Sequence, residues 1–544
     1  MAGLVRTYLI NFNERIHIMT RMKKAIRSLS LAMAVALSSA MFTGVFAAPV
    51  TVDLSASRQT IRGFGGMNHP QWIGDLTQAQ RETAFGNGPN QLGMSVVRIY
   101  ICSNPNNWNR EVATAKYASD NGVLVFASPW HQPADMIRRG QSRYNSNTEW
   151  NNTRIIRTDR FAQYVEHLNA FVERMISSGV NLHSISIQNE HDYGYHGDWT
   201  EWTGEEILEF MKNHAGNIDR RVKVITPEPF QYRKNELNLI LNDSVALANT
   251  DIFATHLYGT SPSNMAYPLF KEKGAGKELW MTEVYHPNSS SDANLWPEAL
   301  EVARHIHRAM VDGEFQMYVW WYIRRFYGPI LDDGSISKRG WMMAHFSKFV
   351  RPGYVRVNAT PAIPVAQTSN AGHGQGGVFV SAYRGVQDGR AVIVAINMGA
   401  SAANLDFTIN GGSVSTMEAY RTSENQNMAK LADIGVSGNR FSASLPARSV
   451  TTFTGTTGTT SVKSAHVSAI ARPTVTVRGR TLNVHAPAGS EVTVRVIDMR
   501  GKTAAKFSVA GESRLSLDRI PAGAYIIEAH RMNGGVSREV AVLR

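Results

Sequence analysis

The sequence predicts an α/β chain built as a (β/α)8 TIM barrel with a fused side β-sandwich and a small C-terminal all-β domain. Three observations predict it. Eight short, nearly continuous apolar runs alternate with segments whose apolar positions recur at three and four residues, as buried parallel strands alternate with amphipathic helices. Past Pro352 the period falls to two, with Gly, Asn and Ser turns between runs. Around residue 456 the chain becomes Thr/Gly/Ser-rich, and a second strand-rich stretch follows.

In chain order, residues 1–47 read as a leader and signal peptide. Lys23, Lys24 and Arg27 precede an apolar segment from Leu29 to about Phe46, and Val45, Phe46 and Ala47 form a small-residue cleavage motif. Met19 and Met22 are alternative translation starts. Ser38, Ser39, Thr43 and Gly44 interrupt the segment, which argues against a stable membrane span. Secretion or display at the cell surface is expected, after cleavage near Ala47. Residues 48–63 alternate like half-buried strands and are expected to join the side β-sandwich. Residues 64–347 hold the barrel strands: Phe64 to Met67, Ser95 to Tyr100, Val123 to Ala127, His183 to Gln188, Val222 to Ile225, Ile252 to His256, Leu279 to Thr282 and Met317 to Trp321. The stretch from Arg160 to Met175 is the clearest intervening helix. A doubly wound open sheet is the structural alternative, and a count of eight favours closure. Residues 348–455 form the side β-sandwich, 456–472 the linker and 473–544 the C-terminal β-rich domain.

Composition narrows the function. Over 544 residues the chain is 43% hydrophobic and 18% charged, as a globular protein is. Its formal charge of +12 resides entirely in the leader and in residues 461–544, leaving 48–460 neutral, so no nucleic-acid partner is expected. Cys102 is the only cysteine. An internal disulfide is therefore impossible, and a buried structural thiol is expected. His305 and His307, two apart, face different sides of a helix, and Glu301 with His305 does not complete a ligand set. With no Walker loop and no dinucleotide fingerprint, neither metal nor cofactor is expected, and a monomer is the default.

Two glutamates carry the chemistry. Glu190 and Glu283 each end a short apolar run and lie 93 residues apart, three βα units, which assigns them to strands 4 and 7. Carboxylates at the C-terminal ends of barrel strands converge on one pocket. Such a pair suits glycoside hydrolysis, one carboxyl protonating the leaving oxygen and the other attacking or activating water. Around the same mouth the sequence sets Trp72, Tyr100, Trp130, Tyr258, Tyr285, Trp320, Trp321 and Tyr327, aromatic faces of the kind that stack on sugar rings. One of Trp320 and Trp321 is expected to face the barrel core.

The motifs Gly63-Phe-Gly-Gly66, Ser128-Pro-Trp130, Gln188-Asn-Glu190, His256-Leu-Tyr258, Met281-Thr-Glu-Val-Tyr285, the run from Trp320 to Gly328, Ser337-Lys-Arg-Gly340 and Phe349-Val-Arg-Pro-Gly353 occur in this order. From about residue 50 to 455 the chain thereby resembles glycoside hydrolase family 30, and within it the bacterial glucuronoxylanases. The resemblance implies a retaining endo-β-1,4-xylanase that cuts glucuronoxylan or glucuronoarabinoxylan by reference to a (methyl)glucuronic acid branch. It makes Glu190 the general acid/base and Glu283 the nucleophile. Asn189 would bind the sugar 2-hydroxyl, and Tyr258 or Tyr285 would hold the nucleophile's second oxygen. Arg325 would read the branch carboxylate with Tyr285, Trp321, Tyr327 and Asn288 or Ser289, while Arg324 points away. His191 stands where the family commonly has proline, Gly194 to Gly197 lengthen the next loop, and His131 and Gln132 alter the motif after Trp130. All are expected to line the cleft near the acid/base. The C-terminal segment resembles the sorting domains read by type IX secretion machinery, its main competitor being a carbohydrate-binding module. A general xylanase or β-1,6-glucanase on the same barrel and a non-catalytic polysaccharide-binding protein are the competing functional readings.

Overall fold

The computed structural model describes residues 47–147, 150–193, 199–360, 377–458, 474–485, 491–498, 502–531 and 536–543. The leader, most of the linker and residues 194–197 lie outside the described residues. The chain divides into two compact units, one ending at Gly458 and one beginning at Thr459. Among the described residues no helix is long and apolar enough to cross a membrane.

Eight parallel strands close the barrel: β1 (Gly63–Met67), β2 (Val96–Ile101), β3 (Leu124–Pro129), β4 (Leu182–Ser186), β5 (Lys223–Ile225), β6 (Ile252–His256), β7 (Glu278–Glu283) and β8 (Met317–Tyr322). They match the eight expected strands to within two residues at either end. The closed ring excludes the open doubly wound sheet. The glycines of β1 have a steric reason, since a Cβ at Gly65 would sit 1.8 Å from the carbonyl oxygen of Val96 on β2. Val96, Phe126, Ile225, Ile252, Ala254, Trp280, Met317 and Val319 cluster as the barrel interior. Phe126 and Trp280 meet edge to face at 5.7 Å. Burying a side chain such as Phe126 contributes about 2–3 kcal/mol. On β8 the strand period sends Met317 and Val319 inward and Tyr318 and Trp320 into the helix-side core. Trp320 is therefore absent from the mouth, and its neighbour Trp321 remains half-buried there. Among the helices, Phe161–Ser177 buries Phe161, Tyr164, Val165, Leu168, Phe171, Val172 and Met175 at the expected spacing.

The same unit carries an 11-stranded sheet. Its N-terminal strand, Ala48–Thr60, runs antiparallel to Val355–Thr360 and parallel to Ala403–Asn410. Phe407 and Phe453 lie five strands apart in sheet order, a span of about 24 Å if the sheet were flat. Their rings are 5.4 Å apart, so the sheet folds over and encloses a core as a sandwich does. Its last strand, Ser449–Gly458, runs into the first residues read as linker. The helix Lys338–Ser347 ties barrel to sheet: the two ring nitrogens of His345 are 2.8 and 2.9 Å from the hydroxyls of Thr452 and Thr422. A small sheet of Ile137–Gly140, Thr153–Ile156 and Thr200–Glu201, not foreseen from the sequence, braces the loops after β3 and β4. Its two- to four-residue strands are too short to leave a periodic signal.

The C-terminal unit holds a three-stranded and a four-stranded antiparallel sheet around one apolar core. Two of its strands, Thr503–Ala510 and Ser513–Ser516, were not expected. Tyr525 is buried in that core and Phe507 packs against it, which removes the two aromatics a sugar platform would need.

Burial holds His345, His307 and His69 down at about 3 and His167 and His183 at about 4. The unfolded chain protonates these rings near pH 6.5 and the folded chain does not, so the unfolded state binds more protons and stability falls as pH drops from 6.5 towards 3. His345→Gln keeps hydrogen-bonding groups but removes one titrating ring. On going from pH 7 to pH 5 this variant is expected to lose about 2 kcal/mol less stability than the parent, read by denaturant unfolding at both pH values.

Candidate active site

The C-terminal ends of the barrel strands bring a buried charged cluster together. Arg98 lies in the middle of β2 with no exposed side-chain surface. Its Nη1 donates to Oε2 of Glu283, its Nη2 donates to Oδ1 of Asn189 and, at 3.0 Å, to Oε2 of Glu228, and its Nε donates to Oγ of Ser128 at 3.1 Å. The guanidinium carbon lies 4.7 Å from the centroid of Trp130, which makes the aromatic wall part of the arginine's setting. Glu283 is the last residue of β7, and its Oε1 accepts from the Tyr258 hydroxyl at 2.9 Å. Both oxygens of Glu283 are thus held from opposite sides.

Glu190 stands four residues beyond the end of β4, with φ at +44°. That left-handed conformation is uncommon for a side chain of this size and is held by the backbone around it. The Glu190 N–H donates to the Glu228 carbonyl at 2.7 Å, and the Glu228 N–H donates to the Gln188 carbonyl at 2.9 Å. His256, ending β6, sets Nδ1 3.0 Å from Oε1 of Glu190 and Nε2 3.7 and 3.9 Å from Oε2 of Glu228 and Glu283. One oxygen each of Glu190 and Glu283 and one His256 nitrogen lie within 4.8 Å of one another.

Burial sets the proton affinities apart. It raises Glu190 to about 7, reinforced by the charge of Glu283 and opposed by His256. His256 would be lowered by burial, but Glu283 and the other carboxylates raise it to about 9. Glu228 would be raised by burial, but Arg98 and His256 hold it at about 2. A carboxyl poised near neutrality beside an ionised network is the arrangement that acid–base chemistry uses.

Of the residues singled out from the sequence, Asn189, Glu190, Tyr258 and Glu283 meet in this cluster. The side-chain amide nitrogen of Asn189 is buried without a partner among the described residues. Trp72, exposed at the rim, stacks on His69 at 3.9 Å and makes ring contacts with Trp130 and Trp321. A second run of rings, Tyr258 to Tyr285 at 4.8 Å and Tyr285 to Tyr327 at 5.8 Å, leads from Glu283 to Arg325, whose guanidinium faces the Tyr327 phenol. Arg325 sits in a tight loop in which Gly328 is required, because a Cβ there would lie 2.8 Å from the Tyr322 carbonyl oxygen. The half-buried Arg325 makes no ion pair among the described residues. Arg324 points away as expected, donating to the Ile73 and Gly74 carbonyls. Arg339 clamps the neighbouring loops by donating to the carbonyls of Asn288 and Tyr327 and pairing with Glu298. The carboxamide oxygen of Asn288 is occupied within its own loop by Ser290 and Ser291, and Ser289 is half-buried beside it.

His191 does not line the cleft. Its ring is buried with Nε2 2.6 Å from Glu236, because Glu190's left-handed turn sends the next side chain back into the loop core. Gln132 is likewise buried, donating to Gln188. Arg98, Glu228 and His256 were not among the site residues expected from the sequence. Signals existed: an arginine inside an apolar strand, a glutamate between Pro227 and Pro229 past a strand end, and a histidine ending another strand.

No family model matches the chain. It is 56% identical over 408 residues to the glucuronoxylanase XynC of Bacillus subtilis strain 168, covering 75% of this chain and 92% of that protein. Among solved structures, a GH30 endoxylanase from Clostridium papyrosolvens C71 superposes with a TM-score of 0.66 at 41% identity, over 75% of this chain and all of that one. The chain belongs to glycoside hydrolase family 30. A second family 30 structure, the subfamily 8 xylanase Xyn30A of Clostridium acetobutylicum, matches with a TM-score of 0.64 at 32% identity over 75% of this chain and 99% of its own. As a family 30 member the protein is a glycoside hydrolase, and the binding-only reading falls away.

The Glu190 carboxyl is expected to titrate near 7, and Glu283→Gln, by removing a neighbouring negative charge, to move that midpoint down. Carboxyl-carbon NMR of glutamate-labelled protein, with Glu190→Gln supplying the assignment, measures both.

Proposed function

We propose that the protein is a secreted, retaining endo-β-1,4-xylanase that cleaves glucuronoxylan or glucuronoarabinoxylan by reference to a (methyl)glucuronic acid branch. The observation that carries the mechanism is the proximity of the two glutamates, with oxygens inside 4.8 Å. Retaining enzymes hold their carboxyls about 5–5.5 Å apart so that one attacks the anomeric carbon directly, whereas inverting enzymes leave room for a water. Glu283, aimed by Arg98 and Tyr258, attacks the anomeric carbon as Glu190 passes its proton to the leaving oxygen. The glycosidic bond breaks and an ester to Glu283 forms. Glu190, now a carboxylate, takes a proton from the incoming water, whose oxygen displaces Glu283 and regenerates both groups. The free amide N–H of Asn189 is the donor for the sugar 2-hydroxyl.

Branch recognition rests on Arg325. An arginine without a carboxylate partner among the described residues, set among Tyr285, Trp321, Tyr322 and Tyr327, is prepared to accept one from the substrate through paired N–H donors. Similarity to the B. subtilis glucuronoxylanase supports the same substrate. Export follows from the leader, with the C-terminal unit serving as a sorting domain for secretion machinery.

Two substitutions test this reading. Glu190→Gln is expected to lower kcat/KM on xylan by about 10²–10⁴-fold while sparing kcat/KM on aryl glycosides whose leaving groups need no proton, their kcat falling because the second step loses its base, as measured by initial rates. Wild-type digests of methylglucuronoxylan are expected to give singly branched acidic oligosaccharides by mass spectrometry. Arg325→Ala is expected to abolish that fixed branch position. Neutral oligosaccharides from either protein would make it a general xylanase.

A further inference from the structure

We propose that Glu228 is a positioning residue for the reaction, the fixed negative counter-charge that balances Arg98 and His256 and so keeps on Glu190 the proton needed for the first step. The inference rests on the reading of Glu190 as the acid.

Geometry supports it. Glu228 has no exposed surface, and its backbone is bonded on both sides of Asn189, donating to the Gln188 carbonyl and accepting from the Glu190 N–H. It cannot swing away. Its Oε2 is 3.0 Å from Arg98 and 3.7 Å from His256, the two cations that touch Glu283 and Glu190. Among the described residues, the charged and titratable groups facing Glu190 and Glu228 are Arg98 from β2, Glu190 itself and Asp192 after β4, Glu228 after β5, His256 ending β6 and Tyr258 just past it, and Glu283 from β7. Asp192 is paired with Arg233 at 3.0 Å, and Tyr258 is neutral and donates to Glu283.

The charges then balance in both chemical states. Before reaction, Arg98 and protonated His256 face ionised Glu228 and Glu283, while Glu190 carries its proton. In the covalent intermediate Glu283 is a neutral ester and Glu190 is the carboxylate, so the same two cations face two anions again. The proton that Glu190 gives to the leaving oxygen moves charge from one glutamate to the other without changing the sum. In a buried site an uncompensated charge is costly and is relieved by a change of protonation. Removing the charge of Glu228 leaves one surplus positive charge in both states. The cluster can shed it by losing a proton from Glu190, and the acid is then spent before substrate binds.

The test is the pH dependence of kcat/KM on a glucuronic-acid-branched xylo-oligosaccharide, for the wild type, Glu228→Gln and Glu228→Asp. The alkaline limb of Glu228→Gln is expected to move to lower pH by about one unit, while Glu228→Asp, which keeps the charge, holds the wild-type limb even if its kcat falls. An aryl xyloside with a good leaving group, cleaved without the acid, is expected to show no matching shift. Glu228→Asn replaces the glutamine variant in the same comparison if that variant does not fold. An unmoved limb with a uniform loss of rate, or an equal shift in the aspartate variant, overturns the proposal. Glu190→Gln assayed alongside separates the two claims. If it cuts the oligosaccharide at the wild-type rate the acid assignment itself fails, whereas a silent Glu190→Gln with an unmoved Glu228→Gln limb counts against Glu228 alone.

Discussion

Arg98 is the interaction on which the site depends. A guanidinium with no exposed side-chain surface must have its charge matched and its donors used, and here they go to Glu283, Asn189, Glu228 and Ser128. Four strands or strand ends are thereby fixed relative to one another by one side chain. The guanidinium plane is rigid and its donors form a fork, so the oxygens it holds have little freedom. A carboxylate nucleophile needs that restriction, because its reach to the anomeric carbon is set by tenths of an ångström. Lysine in this place would supply the charge without the fork.

Around that centre the barrel gives two like carboxyls different surroundings with the means any fold possesses. Glu190 and Glu283 are the same chemical group within 4.8 Å of each other. What differs is the company: Glu283 accepts from Arg98 and Tyr258, while Glu190 is buried against His256 and raised to about 7. The left-handed turn at Glu190 belongs to the same design, since it aims the carboxyl inward and turns His191 away towards Glu236. At the rim, adjacent arginines divide labour by direction. Arg324 secures the loop that carries Trp72, and Arg325 is left facing the tyrosines.

The barrel was legible because its strands are bounded apolar runs and its glutamates fall at strand ends, signals that local sequence carries on its own. Which of Trp320 and Trp321 reaches the mouth stayed open because both tryptophans of a dipeptide look alike until the register fixes which faces the helices. Arg98, Glu228 and His256 were passed over for a different reason. Each is polar in an apolar setting, and its meaning arises only from partners 30 to 185 residues away for Arg98, a relation that no short window of sequence contains. The folding-over of the 11-stranded sheet was legible as alternation but not as topology, since the N-terminal strand inserts between strands from residues 355 and 403. The local turn that the Asn288 oxygen makes with Ser290 and Ser291 is one that Asn followed by serines commonly forms.

The measurement that bears most directly on this account is proton NMR of a methylglucuronoxylan digest in its first minutes, before mutarotation mixes the anomers. Two carboxyls this close leave no space for water to attack from the far side, so the account predicts that the β-anomer of the new reducing end appears first and the α-anomer grows in afterwards. If the α-anomer appears first, Glu283 is not a nucleophile and the double-displacement account of the site is wrong.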